Sequence, residues 1–194
     1  MSRMRDRDAR AVLLASLGRE HRDDPDTRII EELGIDRGDR RVDVAVVNGS
    51  LHGFEIKSDA DTLDRLPGQS AAYSGALDLA TLVTAPRHVE HALAVVPEWW
   101  GITLVEDLGS GWGLVPLREA GANPSRSSGS LAQFLWRDEL VDALTGTGSD
   151  PSVGKLRRRE LIALASALPV ATLAPAVRSA LKGRQGWRAG GQPS

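Results

Sequence analysis

The sequence predicts an α/β protein in which helices flank a mixed β-sheet and a small helical appendage follows at the C-terminal end. Three observations support this prediction. Residues 41–57 read as two strands joined at Asn48-Gly49, strands and helical stretches then alternate up to residue 116, and helical spacing alone follows from residue 131. Such alternation after a starting hairpin is typical of helices packed on a mixed sheet.

Composition is that of an ordinary globular protein. The 194 residues, 41% hydrophobic and 26% charged, suffice for one core, or for a core with a helical appendage. The absence of cysteine excludes disulfides and cysteine-metal sites. No apolar run approaches the ~20 residues that a membrane span needs, and the first residues lack an apolar signal core. We therefore expect a cytoplasmic protein without membrane partners.

Charge is distributed unevenly along the chain. Residues 151–194 contain eight Lys or Arg and one acid, whereas the remainder contains 16 basic and 25 acidic residues. A basic end on an acidic body fits contact with nucleic acid, and equally fits a basic tail docked on the protein itself. The densest basic cluster offers Arg157, Arg158 and Arg159 for phosphate contacts. A solvated helix face is the competing interpretation of this cluster.

Two helices are predicted before the hairpin. Residues 7–17 have helical spacing, and Asp24-Pro25 is a typical helix start that Gly34 would end. This second helix would carry Glu31 and Glu32. Adjacent helical residues project about 100° apart, so at most one of the two carboxylates is expected to face the sheet.

The hairpin itself places Asp43, Glu55 and Lys57 within apolar β-sequence. Buried charges are tolerated only when they pair or bind a metal, so their presence suggests a functional site. A two-residue turn at Asn48-Gly49 would direct the two carboxylates to opposite faces of the sheet. A three-residue loop with a left-handed glycine, or a bulge at Gly53, would place them opposite each other on one face. A site therefore requires one of the latter two geometries.

Alternating elements are predicted downstream of Lys57: a helix at 63–77, a strand at 79–84, a helix at 87–96, and strands at 102–105 and 112–116. The first of these helices carries Arg65, Gln69 and Tyr73 at helical spacing, which gives one polar stripe. The Ser/Gly/Pro-rich stretch 121–130 is a predicted linker between a core at 1–120 and a helical region at 131–194. Helices are expected there at 131–144, 152–168 and 172–182.

Asp43 on one strand, Glu55-Ile56-Lys57 on the next, and a glutamate on a preceding helix resemble the motif of the PD-(D/E)XK (restriction-endonuclease-like) nuclease superfamily. The run E-I-K-S-D-A-D-T-L-D-R-L resembles an uncharacterised bacterial subfamily with the pattern E-I-K-S-D-x-D-T-L-x-R-L. Val42 stands where the superfamily usually has proline. The resemblance implies a restriction-endonuclease-like core, and it favours Glu32 over Glu31 as the helix carboxylate.

The same resemblance implies a metal-dependent nuclease that hydrolyses phosphodiester bonds, with DNA as the expected substrate. Asp43, Glu55 and the backbone carbonyl of Ile56 would hold Mg²⁺ or Mn²⁺, for which carboxylate oxygens are suitable ligands. Lys57 would orient the attacking water or neutralise developing negative charge. Glu32 would complete a second metal position or hold a water.

Further residues have weaker assignments. Gln69 would lie at the rim of the site and hold water or phosphate, while Tyr73 and Arg65 could contact nucleic acid. An ordinary solvated helix face competes with these roles. The alternative function is a non-catalytic module that keeps the nuclease-like fold and binds nucleic acid or a protein partner, its carboxylates neutralised by Lys57 and Arg41. A homodimer is one way for a single-site nuclease to cut both strands of a duplex.

Overall fold

Helices cover both faces of a mixed β-sheet in the computed structural model, which describes residues 3–35 and 38–184. The strands are β1 (Arg28–Ile35), β2 (Arg40–Val47), β3 (Leu51–Lys57), β4 (Leu79–Thr84), β5 (Gly101–Asp107) and β6 (Trp112–Arg118). The helices are α1 (Asp6–Glu20), α2 (Leu66–Ala76), α3 (Val89–Val95), α4 (Ser128–Gln133), α5 (Arg137–Gly146), α6 (Arg158–Ser166) and α7 (Val170–Gly183).

Within the described residues these six strands form one sheet in the order β1-β2-β3-β4-β5-β6. Strands β3, β4 and β5 run parallel to one another, and the other neighbours are antiparallel. The predicted fold class, a mixed sheet flanked by helices and followed by C-terminal helices, is confirmed. No helix in the described part of the chain is long and apolar enough to cross a membrane.

Two apolar clusters lie on opposite faces of the sheet, because successive side chains of a strand alternate between its faces. Val44 and Val46 of β2 pack with Leu13 and Leu17 of α1 in the smaller cluster. Ala45 and Val47 belong to the larger cluster, which also contains residues of α2 and of the C-terminal helices. Helix α1 therefore covers one face, and α2 with the C-terminal helices covers the other.

The C-terminal helices share their core with the sheet. Leu161 and Leu181 are fully buried members of the larger cluster. The stretch 121–130, predicted as a linker, packs on α2, where the buried Asn123 side chain donates hydrogen bonds to the carbonyls of Ser74 (2.8 Å) and Leu77 (2.7 Å). The division of the chain at this stretch stays a prediction.

Two of the predicted C-terminal helices are wrong in extent. The helix expected at 131–144 is α4 followed by α5, because the Glu139 carboxylate accepts a 2.7 Å hydrogen bond from the Trp136 amide and starts a new helix there. The helix expected at 152–168 is a short 3₁₀ turn, Pro151–Lys155, followed by α6. The helix expected at 172–182 is confirmed as α7.

The helix predicted at 24–34 is also wrong, since strand β1 occupies most of this stretch and pairs with β2 along its length. Asp24 does not cap a helix. Its carboxylate closes a turn by accepting hydrogen bonds from the Asp26 amide (3.0 Å) and the Thr27 hydroxyl (2.6 Å). Ile30 and Leu33 have helical spacing and are both buried because the positive φ of Glu32, 54°, interrupts the alternation of the strand between them.

The remaining predicted elements are confirmed with shifted ends. Strands β2 to β6 and helices α1 and α2 lie where the pattern placed them, and the helix expected at 87–96 is a short 3₁₀ turn followed by α3. The hairpin loop has three residues, because Val47 pairs with Leu51. The left-handed conformation predicted for Gly49 in this loop is wrong, because Gly49 does not have a positive φ. Instead, the Asn48 side chain accepts a hydrogen bond from the Ser50 amide (3.0 Å).

We expect Gly53→Ala in β3 to destabilise the protein by about 1–3 kcal/mol, as overpacking of a core does. A Cβ atom at this position would lie 2.4 Å from Leu77 Cδ1 and 3.0 Å from Val42 Cγ1, both on buried side chains. Urea denaturation measures the change. Gly18→Ala in α1, where a Cβ meets nothing within 4 Å, is the matched control and should be neutral or stabilising. Equal stabilities for the two variants would contradict the close packing.

Candidate active site

The candidate site begins where β2 and β3 separate. Their backbone pairing ends at Val44 and Phe54, and continuation of that register places Asp43 opposite Glu55, as a three-residue loop requires. Beyond that point, a side chain replaces the backbone hydrogen bonds between the two strands. Oδ2 of Asp43 accepts a 2.7 Å hydrogen bond from the Ile56 amide. The fork between the strands thus holds the Asp43 carboxylate in a defined orientation.

Glu55 is the centre of a buried polar network on the α2 side of the sheet. Its side chain is 2% exposed. Oε1 accepts hydrogen bonds from Lys57 Nζ (2.6 Å) and Gln69 Nε2 (2.5 Å), and Oε2 accepts one from the Tyr73 hydroxyl (2.5 Å). Four residues that the sequence singled out are therefore in direct contact. The carboxylate is stabilised in the interior by three donors and one positive charge.

Tyr73 is fully buried, so the solvated helix face considered for it is wrong, and its ring lies in the core rather than at the surface. Its ring stacks on Trp100 with centroids 5.4 Å apart. Besides Glu55, its hydroxyl lies 3.0 Å from the Arg41 carbonyl oxygen. Arg41 therefore meets the network through its backbone, and the expected neutralisation of the carboxylates by its side chain is not observed. Tyr73 instead joins α2 to both strands of the hairpin.

The sequence interpretation missed Arg10, which α1 directs at the Asp43 side of the fork. Its Nη1 donates to the Asp43 carbonyl oxygen (3.0 Å), and its Nη2 lies 3.4 Å from Asp43 Oδ1 and 3.1 Å from Glu32 Oε1. One signal could have identified it. Arg10 precedes Leu13 by three residues and Leu17 by seven, and therefore projects from the buried face of α1 rather than from the solvent face.

Glu31 and Glu32 reach the same guanidinium from β1, not from a helix. Glu32 Oε1 is 3.1 Å from Arg10, whereas Glu31 Oε2 is 3.7 Å away. The preference for Glu32 agrees with its shorter contact, but the expectation of a helical position for it is wrong. In the pairing of β1 with β2, Glu31 pairs with Val44 and Leu33 pairs with Val42. The same register places Glu32 opposite Asp43.

Burial and charge shift the acidity of several groups at the fork. Burial, with the nearby Glu55 carboxylate, raises the pKa of Asp43 to about 7, although the Ile56 amide and Arg10 act in the opposite direction. Burial and Glu55 also raise the pKa of the Tyr73 hydroxyl well above its usual value. Burial by itself would lower the pKa of Arg10, but attraction to Asp6, Asp43 and Glu32 outweighs it and raises that pKa.

The basic residues proposed for nucleic-acid contacts lie at other places. Arg65 is exposed and lines an open cleft with Arg40 and Gly68. Arg157 and Arg159 are exposed at the start of α6. The half-buried Arg158 donates from Nη2 to the carbonyls of Gln133 (3.0 Å) and Leu135 (3.2 Å), and therefore helps to hold the end of α4. Arg158 thus has a structural role in addition to any contact with phosphates.

The donor chemistry at the fork fits a hard divalent cation, because Asp43, Glu32 and Glu55 offer carboxylate oxygens. Gln69 Oε1 adds a buried oxygen that has no hydrogen-bond partner. In residues 3–35 and 38–184, no group of three or more Asp, Glu or His side chains is arranged to hold a metal. At Asp43 and Glu32, the guanidinium of Arg10 already provides a positive charge.

Fold and site together define an α/β protein with a buried, charged network at a strand fork. The chain belongs to the bacteriophage P4 protein cII family, which it matches over residues 1–189. Protein cII of Enterobacteria phage P4 is 31% identical over 159 residues, covering 82% of this chain and 60% of that protein. The chain thus spans 60% of that relative's length.

Among solved structures, the chain is similar to SPO1766, a protein of unknown function from Silicibacter pomeroyi. The TM-score is 0.43 at 16% sequence identity, with 94% of this chain and 97% of that chain covered.

Tyr73→Phe should destabilise the protein by about 1–3 kcal/mol, because Glu55 Oε2 loses its hydroxyl donor while remaining buried. Urea denaturation of the wild type, of Tyr73→Phe, of Glu55→Gln and of the double variant gives the coupling energy of the pair. We expect the cost of Tyr73→Phe to shrink when Glu55 is replaced by Gln. An unchanged cost in that background would mean that the hydroxyl does not stabilise the carboxylate.

Proposed function

We propose that this chain is a divalent-metal-dependent nuclease of the restriction-endonuclease-like type, which hydrolyses phosphodiester bonds in DNA. The observation that carries the proposal is the buried Glu55–Lys57 pair beside the fork at Asp43. Burying two charges costs several kcal/mol per ion before their attraction is counted. This cost, with Gln69 on the same carboxylate, supports a role for the pair in chemistry.

Asp43 and Glu55 would hold Mg²⁺ or Mn²⁺, together with the carbonyl oxygen of Ile56, and Glu32 would serve a second position. When bound there, the cation would lower the pKa of a water and would neutralise charge on the phosphoryl oxygens. The Ile56 amide fixes Asp43 Oδ2, so Oδ1, which lies 3.4 Å from Arg10 Nη2, is the oxygen that would ligate the cation. Hydrolysis then consists of attack by water on phosphorus and departure of the sugar oxygen with a proton.

Lys57 supports this chemistry through its position. Its side chain is 7% exposed and Glu55 Oε1 holds its ammonium at 2.6 Å. An ammonium has three N–H donors, and the contact with Glu55 uses one. The others are available to orient a water or a phosphoryl oxygen. Gln69 acts next to it, because its amide group donates to Glu55 through Nε2 and leaves Oε1 to accept from a water.

Nucleic acid is the proposed partner, with the bacterial cytoplasm as the proposed location. The exposed guanidinium groups of Arg65, Arg157 and Arg159 suit phosphate contacts that do not depend on base sequence. One site of this kind cuts one strand. Cutting both strands of a duplex therefore calls for a homodimer or for two successive nicks.

A non-catalytic module that binds nucleic acid or a protein partner is the second candidate, and one observation favours it. Both oxygens of Glu55 already have donors, and Arg10 contacts both Asp43 and Glu32. Such a closed network would serve a purely structural purpose as well. The two candidates differ in whether a divalent cation binds.

The test is cleavage of plasmid, linear duplex DNA, single-stranded DNA and RNA with Mg²⁺, with Mn²⁺ and with EDTA, alongside calorimetric titration with Mn²⁺. We expect metal-dependent cutting of DNA and saturable Mn²⁺ binding. Neither cutting nor Mn²⁺ binding would favour the non-catalytic module. Mn²⁺ binding with cutting of RNA alone would keep the nuclease and change its substrate.

A further inference from the structure

Arg10 is the part of the site that the proposed nuclease chemistry does not use. Its side chain is only 20% exposed, which is unusual for an arginine unless it is paired. The guanidinium contacts Asp43 through both the backbone carbonyl and Oδ1, and Glu32 through Oε1. Its single positive charge is thus shared between the two carboxylates of the fork that lie outside the Glu55 network.

The hydrogen bonding of Asp43 leads to a conflict between Arg10 and a metal. Oδ2 is occupied by the Ile56 amide at 2.7 Å, whereas Oδ1 faces Arg10 at 3.4 Å. A divalent cation that binds Asp43 would therefore use the oxygen that Arg10 faces. Positive charges this close repel each other strongly in a partly buried site. The cation and the guanidinium cannot both keep short contacts with Oδ1 and Glu32.

We infer that Arg10 is the internal counter-ion of the site, that a divalent cation displaces it from Asp43 and Glu32, and that the displaced guanidinium binds a substrate phosphate. This inference rests on the proposed function, because it requires a cation at the fork. Asp6, one turn earlier on α1, lies 3.4 Å from Arg10 Nε and keeps the displaced group close to the site. The planar donors of a guanidinium match two phosphate oxygens at once.

The first test is calorimetric titration of the intact chain with Mn²⁺. Arg10→Gln should bind Mn²⁺ at least about tenfold more tightly than the wild type, because a positive charge near the cation has been removed. Arg7→Gln is the matched control, since Arg7 lies on the same helix with its side chain 74% exposed, and it should leave the affinity unchanged. Adding Asp43→Asn to Arg10→Gln should abolish the binding, which locates the cation at the fork.

These titrations separate the failure of the inference from the failure of the proposed function. Wild-type binding that Arg10→Gln leaves equal or weaker would overturn the competition while leaving the nuclease proposal intact. No Mn²⁺ binding by either protein would overturn both. Tighter binding that survives Asp43→Asn would place the cation elsewhere and would also overturn the inference.

A second measurement follows Arg10 in the wild type, and a variant is needed only to assign its resonance. In ¹H–¹⁵N spectra, the Arg10 Nε–H resonance, assigned by its absence from Arg10→Lys, should shift on titration with diamagnetic Mg²⁺ as the guanidinium loses its carboxylate contacts. A resonance that stays in place at saturating Mg²⁺ would mean that Arg10 is not displaced.

The phosphate contact is tested with a short fluorescein-labelled DNA duplex and fluorescence anisotropy. In Ca²⁺, Arg10→Gln should bind the duplex about tenfold more weakly than the wild type, as loss of a charge-assisted phosphate contact implies, whereas Arg7→Gln should not. In EDTA, the wild type and Arg10→Gln should bind equally, because Arg10 is then held by the carboxylates. Equal binding in Ca²⁺ would overturn the phosphate role.

Discussion

Lys57→Met should lower the rate of metal-dependent DNA cleavage by about 10²–10³-fold, the cost of removing one preorganised donor from a developing negative charge. Methionine keeps most of the side-chain volume in a position that is 7% exposed and removes only the ammonium. Glu55 keeps Gln69 and Tyr73 as donors, so its position should be preserved. Cleavage is measured under single-turnover conditions at saturating Mg²⁺, and circular dichroism verifies the fold.

The matched control for this variant is Lys155→Met. Lys155 is exposed in the 3₁₀ turn before α6, so its replacement removes the same charge without touching the fork. We expect its cleavage rate to remain near that of the wild type. Cleavage by Lys57→Met at the wild-type rate, with Lys155→Met unchanged, would show that Lys57 pairs with Glu55 for structure alone.

Asp43→Asn should remove a pH-dependent part of the unfolding free energy that amounts to several kcal/mol between about pH 4 and 7. The folded-state pKa of Asp43, about 7, lies above its ordinary value of 3.8. Between these values the folded protein binds a proton that the unfolded chain has lost, so the stability that Asp43 contributes falls by about 1.4 kcal/mol per pH unit as pH rises. Asparagine does not ionise, so position 43 of the variant should contribute no decrease in stability as pH rises.

The measurement is the difference in unfolding free energy between Asp43→Asn and the wild type, from urea denaturation in EDTA at several pH values. The difference should shift in favour of the variant from about pH 4 to 7 and level off above that range. A difference between the two proteins is needed because His52 also makes stability depend on pH, in the opposite direction. Burial lowers the pKa of His52 from 6.5 to about 4, so the stability that neutral His52 contributes is lost as pH falls through that range. Asp64→Asn, at an exposed position, is the control. A pH-independent difference would contradict the raised pKa of Asp43.

Sequence reasoning worked best where structure is decided by neighbouring residues. The hairpin followed from alternating apolar residues and a short polar loop, and a three-residue loop with Val47 opposite Leu51 is observed. The spacing on α2 placed Gln69 and Tyr73 on one side of that helix, and both contact Glu55. Strand alternation and helical period are local properties that the sequence is sufficient to predict, whereas it leaves the choice between a two-residue and a three-residue loop open.

Failures arose where a distant partner overrides local signals. Asp24-Pro25 and the spacing of Ile30 and Leu33 indicated a helix, but pairing with β2 makes this stretch a strand. The irregular backbone at Glu32 breaks the alternating pattern by which a strand is recognised, because it places Ile30 and Leu33 on the same buried side. Pairing of this kind depends on the tertiary fold, and local propensity does not report it.

By itself, then, the sequence determined the fold class, because strand alternation and helical period decide which side each residue faces. It also singled out Asp43, Glu55, Lys57 and Gln69, whose side chains lie around one strand fork. Only the tertiary structure decided how their charges are balanced. Lys57 pairs with Glu55, and Asp43 is contacted by Arg10, which lies on α1, 33 positions earlier in the chain. Electrostatic attraction depends on distance in space, and the packing of α1 on the sheet sets that distance.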